Sequence, residues 1–255
     1  HDTPLKCIQY TDSCVSKEFR GHGIFKQLNE VSFERFFNNG DLIFNVSEES
    51  SKTSHERLGW KYIETFSSLF KINNISSTLI KLNFNIKKLS NKRVWDPAPN
   101  THTTIPQQLI SMRDKLLNNR LHIKYNDTTI EWRLSSQSGI KIFSCEYGYL
   151  FYKIGHLDNT TLRIALIGEM LLYDYSKAAI KHILNSFIHA YQIDILQTYI
   201  TIGHPLYPLY IGYGFKHNPK HKFINLGYRT TNKELAFACQ SPTNWALCTM
   251  DLDTF

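Results

Sequence analysis

The chain has 255 residues, of which 42% are hydrophobic and 20% charged, with a formal net charge of +7. That balance describes a globular chain able to bury a sizeable core. It excludes a membrane-spanning helix, because no run approaches the roughly 20 apolar residues a span needs.

Lysine and arginine are spread, and their densest run, Lys87-Lys88 to Lys92-Arg93, is short. This argues against a nucleic-acid partner and for a positive field that suits an anionic cofactor. The five cysteines (Cys7, Cys14, Cys145, Cys239, Cys248) form no CxxC, and the count is odd. Reduced, mostly buried thiols and a cytoplasmic setting are the expectation. The eleven histidines make no HxH or HExxH, and Pro219 stands between His217 and His221. No metal site is expected from such spacing.

In chain order, Leu5 to Val15 reads as extended. The run Phe19-Arg20-Gly21-His22-Gly23-Ile24-Phe25 follows and opens a helical pattern through Ile24, Leu28, Val31 and Phe36. A glycine turn before a helix presents successive backbone N–H groups, which is a seat for a pyrophosphate. Gly21 and Gly23 clear side chains from its path, and Arg20 adds a fixed charge. Asn39-Gly40 stops the helix, and Asp41 to Val46 reads as a buried strand. The polar stretch Glu48 to Arg57 reads as a short helix leading to Leu58-Gly59-Trp60-Lys61 and another strand.

Asp96-Pro97-Ala98-Pro99-Asn100 and Pro106 mark a linker. The chain then divides into 1–90, a linker at 91–118, and 119–255. The second part repeats the order of the first. Thr129 to Leu134 and a hairpin about Glu146-Tyr147-Gly148 read as early strands, and Leu162 to Leu172 as a strand. Ser176 is an N-cap, and Ile180, Ile183, Leu184, Phe187, Ile188 and Tyr191 form a helical stripe. Ile193 to Ile202 reads as a strand, His204-Pro205 starts a short helix, Gly212-Tyr213-Gly214-Phe215 echoes Leu58-Gly59-Trp60, and Trp245 to Asp253 reads as a closing strand. The loop Tyr173-Asp174-Tyr175-Ser176 has no glycine and carries an acid, so it should repel a pyrophosphate.

Over residues 6 to 66 the chain resembles the GNAT family of N-acyltransferases, whose acyl-CoA loop has the form Arg/Gln-x-x-Gly-x-Gly/Ala. Arg20-Gly21-His22-Gly23-Ile24-Phe25 matches it except at Phe25. The stretch Val15 to Phe25, with Arg57-Leu58-Gly59-Trp60, is similar to a subgroup found near surface-polysaccharide genes. The resemblance implies an α/β (α+β) fold of two GNAT-like halves with mixed sheets flanked by helices. It also implies a first half that lacks its start, since the chain opens on His1 just before the loop's strand.

The implied co-substrate is acetyl-CoA or another acyl-CoA, without metal. It would be held by Cys14 and Val15 through their backbone, by Arg20, Gly21, His22, Gly23, Ile24 and Phe25, and by Ser47, which stands where the family often has Asn. His55 occupies the place of the family's thiolate-protonating Tyr, although its polar neighbours read more readily as the solvent-facing side of a helix. Glu169, in an apolar strand, is a candidate general base or a salt-bridged glutamate, and Asp12 is a second candidate. Trp132-Arg133 could hold an acceptor by stacking and a bidentate contact, or be core plus surface. The implied acceptor is an amine, with an amino sugar as the subgroup's suggestion. Alternatives are a FemX-like transferase using aminoacyl-tRNA and a non-catalytic CoA-binding module. Oligomeric state is not legible.

Overall fold

The computed structural model describes residues 5–10, 14–36, 42–47, 49–83, 93–97, 104–135, 139–219 and 223–252. The elements in order are β1 (Cys7–Gln9), α1 (Ile24–Phe36), β2 (Leu42–Ser47), α2 (Glu49–Glu56), β3 (Lys61–Ile72), α3 (Ile75–Asn83), β4 (Arg93–Trp95), α4 (Gln107–Leu117) and α5 (Asp127–Arg133). They continue with β5 (Lys141–Cys145), β6 (Gly148–Leu157), β7 (Arg163–Leu172), α6 (Lys177–Tyr191), β8 (Ile195–Thr201), α7 (Leu206–Tyr213), β9 (Lys216–His217), β10 (Phe223–Arg229) and α8 (Lys233–Cys239).

The ten strands among the described residues join one sheet, in the order β1-β2-β10-β3-β8-β7-β6-β4, with β5 on β6 and β9 on β3. Two pairs are parallel, β1 with β2 and β7 with β8, and the rest are antiparallel. Each parallel pair is bridged by a loop and a helix, so the order strand, loop, helix, strand, helix, strand occurs twice. The two parts do not close separately. β10, from the second, lies between β2 and β3 of the first, and β3 in turn pairs with β8. One apolar cluster packs α4, α6 and α7 on β6, β7 and β8. A second joins Leu42 and Phe44 of β2, Leu226 and Tyr228 of β10, Phe66 of β3 and Trp245.

Several elements differ from their sequence reading. The segment 91–118 is not all linker: β4 pairs with β6, and α4 buries Leu109, Ile110, Arg113 and Leu117. Its proline cluster sits ahead of a helix whose i, i+1, i+4, i+8 face meets the core. Thr129 to Leu134 is no strand but the body and C-cap of α5. Asn126 Oδ1 accepts from Thr129 N at 2.7 Å and caps the helix, while Ile130 and Arg133, three apart, face inward. Trp245 to Leu252 forms two isolated bridges and a 3-10 turn rather than a strand. On α1 the buried face carries Asn29, flanked by half-buried Phe25, Ser32 and Phe33, while Leu28 and Val31 are about half exposed. Phe36 is the last residue of α1, and its side chain, like Asp12, Asn39-Gly40 and the Lys87 to Lys92 run, lies outside the described residues.

Because β10 supplies Leu226, fully buried against both β2 and β3, Leu226→Ala should cost about 2–5 kcal/mol. Denaturant unfolding followed by near-UV and far-UV signals should remain one transition moved to lower concentration. Two separated transitions would show that the halves fold independently.

Candidate functional site: a glycine loop at the start of a helix

After Gln9 the described strand pairing ends with Tyr10 N donating to Phe44 O at 2.8 Å. Cys14 to Ser16 carry the chain to a 3-10 turn, Lys17–Phe19, closed by Phe19 N to Ser16 O at 3.0 Å. Gly21 and Gly23 then adopt φ of +86° and +75°. A Cβ on either would meet nothing within 4 Å. Backbone conformation, not crowding, therefore calls for glycine here, and the main chain stays open to approach.

The first bond of α1 is Gln27 N to Gly23 O at 3.1 Å. The N–H groups of Ile24, Phe25 and Lys26 thus head the helix, at the positive end of its dipole. Arg20 Nε donates to Val15 O at 3.1 Å and ties the neck of the loop.

A pocket of about 550 Å³ opens here, between the loop and the end of α2. Val15, Phe19, Ile24, Phe25 and Leu58 supply its apolar wall, and Arg20, Lys26 and Arg57 its charge. Gly21, Gly23 and Ser54 also line it, and among the described residues the lining contains no carboxylate. Of the residues the sequence nominated, the structure gathers Val15, Arg20, Gly21, Gly23, Ile24 and Phe25 at this pocket. Cys14 and His22 are exposed beside it and do not line it. Ser47 closes β2, and its side chain is outside the described residues. Sequence reading passed over Lys26, Ser54, Arg57 and Leu58 as lining residues. The signal for two of them was present: Ser54 and Arg57, three apart, share a helical face.

His55 is not solvent-facing. It is 4% exposed, with Phe25 and Trp60 at ring-centroid distances of 5.1 and 5.2 Å. Its Nδ1 is 2.8 Å from the Tyr62 hydroxyl. Burial pushes its pKa below the usual histidine value, so the ring is neutral near pH 7. Nε2 is buried and has no hydrogen-bond partner among the described residues. Phe25, the mismatch in the loop motif, is half-buried. It lines the pocket and packs on His55 at once.

The fold that carries this pocket has counterparts among solved structures. A GCN5-related N-acetyltransferase from Kribbella flavida superposes with a TM-score of 0.55 at 12% identity, over 92% of this chain and 56% of that one. A second, from Anabaena variabilis, superposes with a TM-score of 0.51 at 12% identity, over 88% and 54%. The chain has the GNAT acyltransferase fold. It spans little more than half the length of these two proteins. No protein-family model matches the sequence, and no curated protein matches it.

The second parallel pair of this GNAT fold is filled by the protein itself. β7 and β8 pair only from Ile164–Ile195 to Ile167–Thr198. Beyond that the segment Trp245–Leu252 enters. Thr249 Oγ1 accepts from Tyr199 N at 2.8 Å and donates to Tyr199 O at 3.1 Å, and Thr201 N donates to Leu247 O at 2.9 Å. On the β7 side Cys248 Sγ donates to Glu169 Oε2 at 3.4 Å. The start of α6 is capped from within, Ser176 Oγ accepting from Ala179 N at 3.2 Å.

Glu169 therefore is not at the pocket. It lies on β7, with β8, β3 and β10 between it and β2. It is buried, 2.9 Å from Arg113 Nε and 3.6 Å from His204 Nε2. Burial alone would raise its pKa, but Arg113 and then His204 outweigh burial and hold it down to about 2. A carboxylate so paired is a poor proton acceptor, which corrects its nomination as general base. Arg113 also donates to Ile123 O at 2.9 Å and lies over the Tyr125 ring, whose hydroxyl donates to Asp251 at 2.9 Å.

Trp132-Arg133 divides in the reverse of the expected sense. Trp132 is exposed, and Arg133 is buried, donating to Leu252 O at 2.8 Å. The thiols divide too: Cys239 and Cys248 are buried, while Cys7 and Cys14 are exposed, contrary to the expected burial. Among the described residues no cluster of His, Cys, Asp and Glu could hold a metal.

Glu169→Gln should destabilise the protein at pH 7 by at most about 3–5 kcal/mol, because it removes the nearest of the acids that balance buried Arg113 and leaves Asp114 and Asp251 at 3.4 and 4.0 Å. The sign with pH follows from a folded pKa below the unfolded one. The ionised glutamate stabilises above about pH 4.5, and that stabilisation is lost as pH falls through about 2. Acid titration followed by near-UV circular dichroism should show a shallower loss over that window in Glu169→Gln than in the parent chain.

Proposed function

We propose that this chain transfers an acetyl or other short acyl group from CoA to an amine. The observation that carries the reading is the pocket at the head of α1, ringed by Arg20, Lys26 and Arg57 and lined by no acid among the described residues. A pyrophosphate meets backbone N–H groups and three cations there, while an apolar wall runs toward Phe25 and Leu58. The GNAT fold supports the same chemistry, and its likeness to the two solved enzymes is one of fold.

In this reading Arg20, Gly21, Gly23 and Ile24 seat the phosphates with Lys26 and Arg57, and Val15 presents backbone to the thioester. Cys14, His22 and Ser47 border that seat. His55 is the buried proton-handling side chain next to the pocket, one ring behind Phe25. The arrangement is two GNAT-like halves, 1–90 and 119–255, with one CoA site in the first. The second crevice, closed by Trp245–Leu252, serves as scaffold. The acceptor class suggested by the resemblance of Val15 to Phe25 is an amino sugar, and the setting is cytoplasmic. A second reading, a module that binds acyl-CoA without transfer, is favoured by the burial of His55 behind Phe25.

Calorimetric titration with acetyl-CoA tests the seat. The parent chain should bind. Arg20→Ala combined with Gly23→Asp should lose binding by about 100-fold or more, since it removes a cation, adds an acid and forces an L-residue to φ of +75°. Equal binding by parent and double variant would move the cofactor off this loop. Binding by the parent with no turnover on a panel of amines that includes glucosamine would select the second reading.

A further inference from the structure

One row across the sheet reads Asn45 on β2, Gly227 on β10 and Tyr62 on β3. Here crowding calls for the glycine. A Cβ at Gly227 would stand 2.2 Å from Asn45 Oδ1 and 2.7 Å from the Tyr62 ring. The two side chains meet over the β10 main chain, on the face that α2 covers, and from there the Tyr62 hydroxyl reaches His55 Nδ1. In this layer Asn45 Oδ1 and His55 Nε2 are both buried and without a hydrogen-bond partner among the described residues.

The missing partner at Nε2 decides the tautomer. A buried N–H left unpaired is the rarer and costlier orphan, and a bare ring nitrogen the more tolerable one. The proton of a neutral ring therefore sits on Nδ1 and is donated to the Tyr62 oxygen. Of the three rings against His55, Phe25 alone lines the pocket. The groups facing the imidazole are Phe25 from α1, Trp60 from the turn and Tyr62 from β3. Lys52 of α2 holds its ammonium 6.0 Å from the Tyr62 ring.

We infer that Tyr62 is a positioning residue for His55: it fixes the ring and tautomer in which bare Nε2 carries one proton from the incoming amine to the leaving sulfur. This rests on the acyl-transfer reading above. The amine lone pair forms the C–N bond to the thioester carbon, and the C–S bond breaks with its electron pair on sulfur. The proton the nitrogen loses passes to Nε2 and then to sulfur. His55 ends as it began, and amide and thiol are the products. Phe25 turns aside from the position it holds here for Nε2 to be reached. Gly227 keeps Tyr62 in place by leaving room for its ring.

The test uses the full chain labelled with ¹⁵N-histidine, its His55 ring signals assigned by their loss in His55→Gln, together with steady-state rates on acetyl-CoA and glucosamine. The parent should show the Nδ1–H tautomer. Tyr62→Phe should mix the two tautomers and lower kcat about 10-fold or more with KM for acetyl-CoA unchanged. Gly227→Ala should do the same if it folds, and Tyr62→Phe, which keeps the ring, guards against its not folding. An Nε2–H tautomer in the parent, or an unchanged tautomer and kcat in Tyr62→Phe, would overturn the inference. An absence of turnover in the parent would sink the shuttle along with the transfer reading. The tautomer comparison would still then distinguish a Tyr62 that positions the ring from one that only packs.

Discussion

Two parallel strands joined through a helix diverge at their ends, and the backbone groups exposed where they part must be satisfied by something. This protein meets that constraint twice, in different ways. Between β7 and β8 the segment Trp245–Leu252 enters and pairs with β8, anchored by Thr249, Thr201 and the polar group of Glu169, Arg113, Tyr125 and Asp251. Beside β1 and β2 the chain instead turns through Gly21 and Gly23 and leaves a pocket at the head of α1. The chemistry of the two crevices follows from what fills them. A buried carboxylate balanced by arginine closes one, and Arg20, Lys26 and Arg57 border the other.

Much of this was legible in the residues. The loop could be read because paired glycines just ahead of a helix mark a backbone path that residues with a Cβ resist. Helix α6 could be read because Ser176 and the stripe from Ile180 to Phe187 agree on one helix. The misread elements are those whose identity depends on partners far along the chain. Thr129 to Leu134 carries β-favouring residues, yet Asn126 and Asp127 start a helix, and Arg133 finds its acceptor at Leu252. The stripe Ile24, Leu28, Val31 has helical spacing, but the sheet lies under Phe25 and Asn29.

At the site the boundary of legibility is the same. The loop's shape is set by its own backbone, through the positive φ of Gly21 and Gly23, so sequence located it. His55 was read as the surface of a polar helix because Lys52, Thr53, Ser54, Glu56 and Arg57 surround it in sequence. Its burial comes from Phe25, Trp60 and Tyr62, on three other segments. Glu169 looked conspicuous because an acid in an apolar strand needs a reason. The reason, Arg113, sits in a stretch whose prolines concealed a helix.

The placement of β10 also sets an order of events during synthesis. β2 and β3 leave the ribosome ahead of α3 to β9, and β10, the strand that joins them, follows after all of these. Until then β2 is joined by β1 on one side, and the edges of β2 and β3 that β10 will fill stand open to other chains. The nascent protein must carry β2 and β3 without the strand between them while α3 to β9 are made. The glycine loop, although made well before β10, takes its final surroundings only when the sheet beneath it closes.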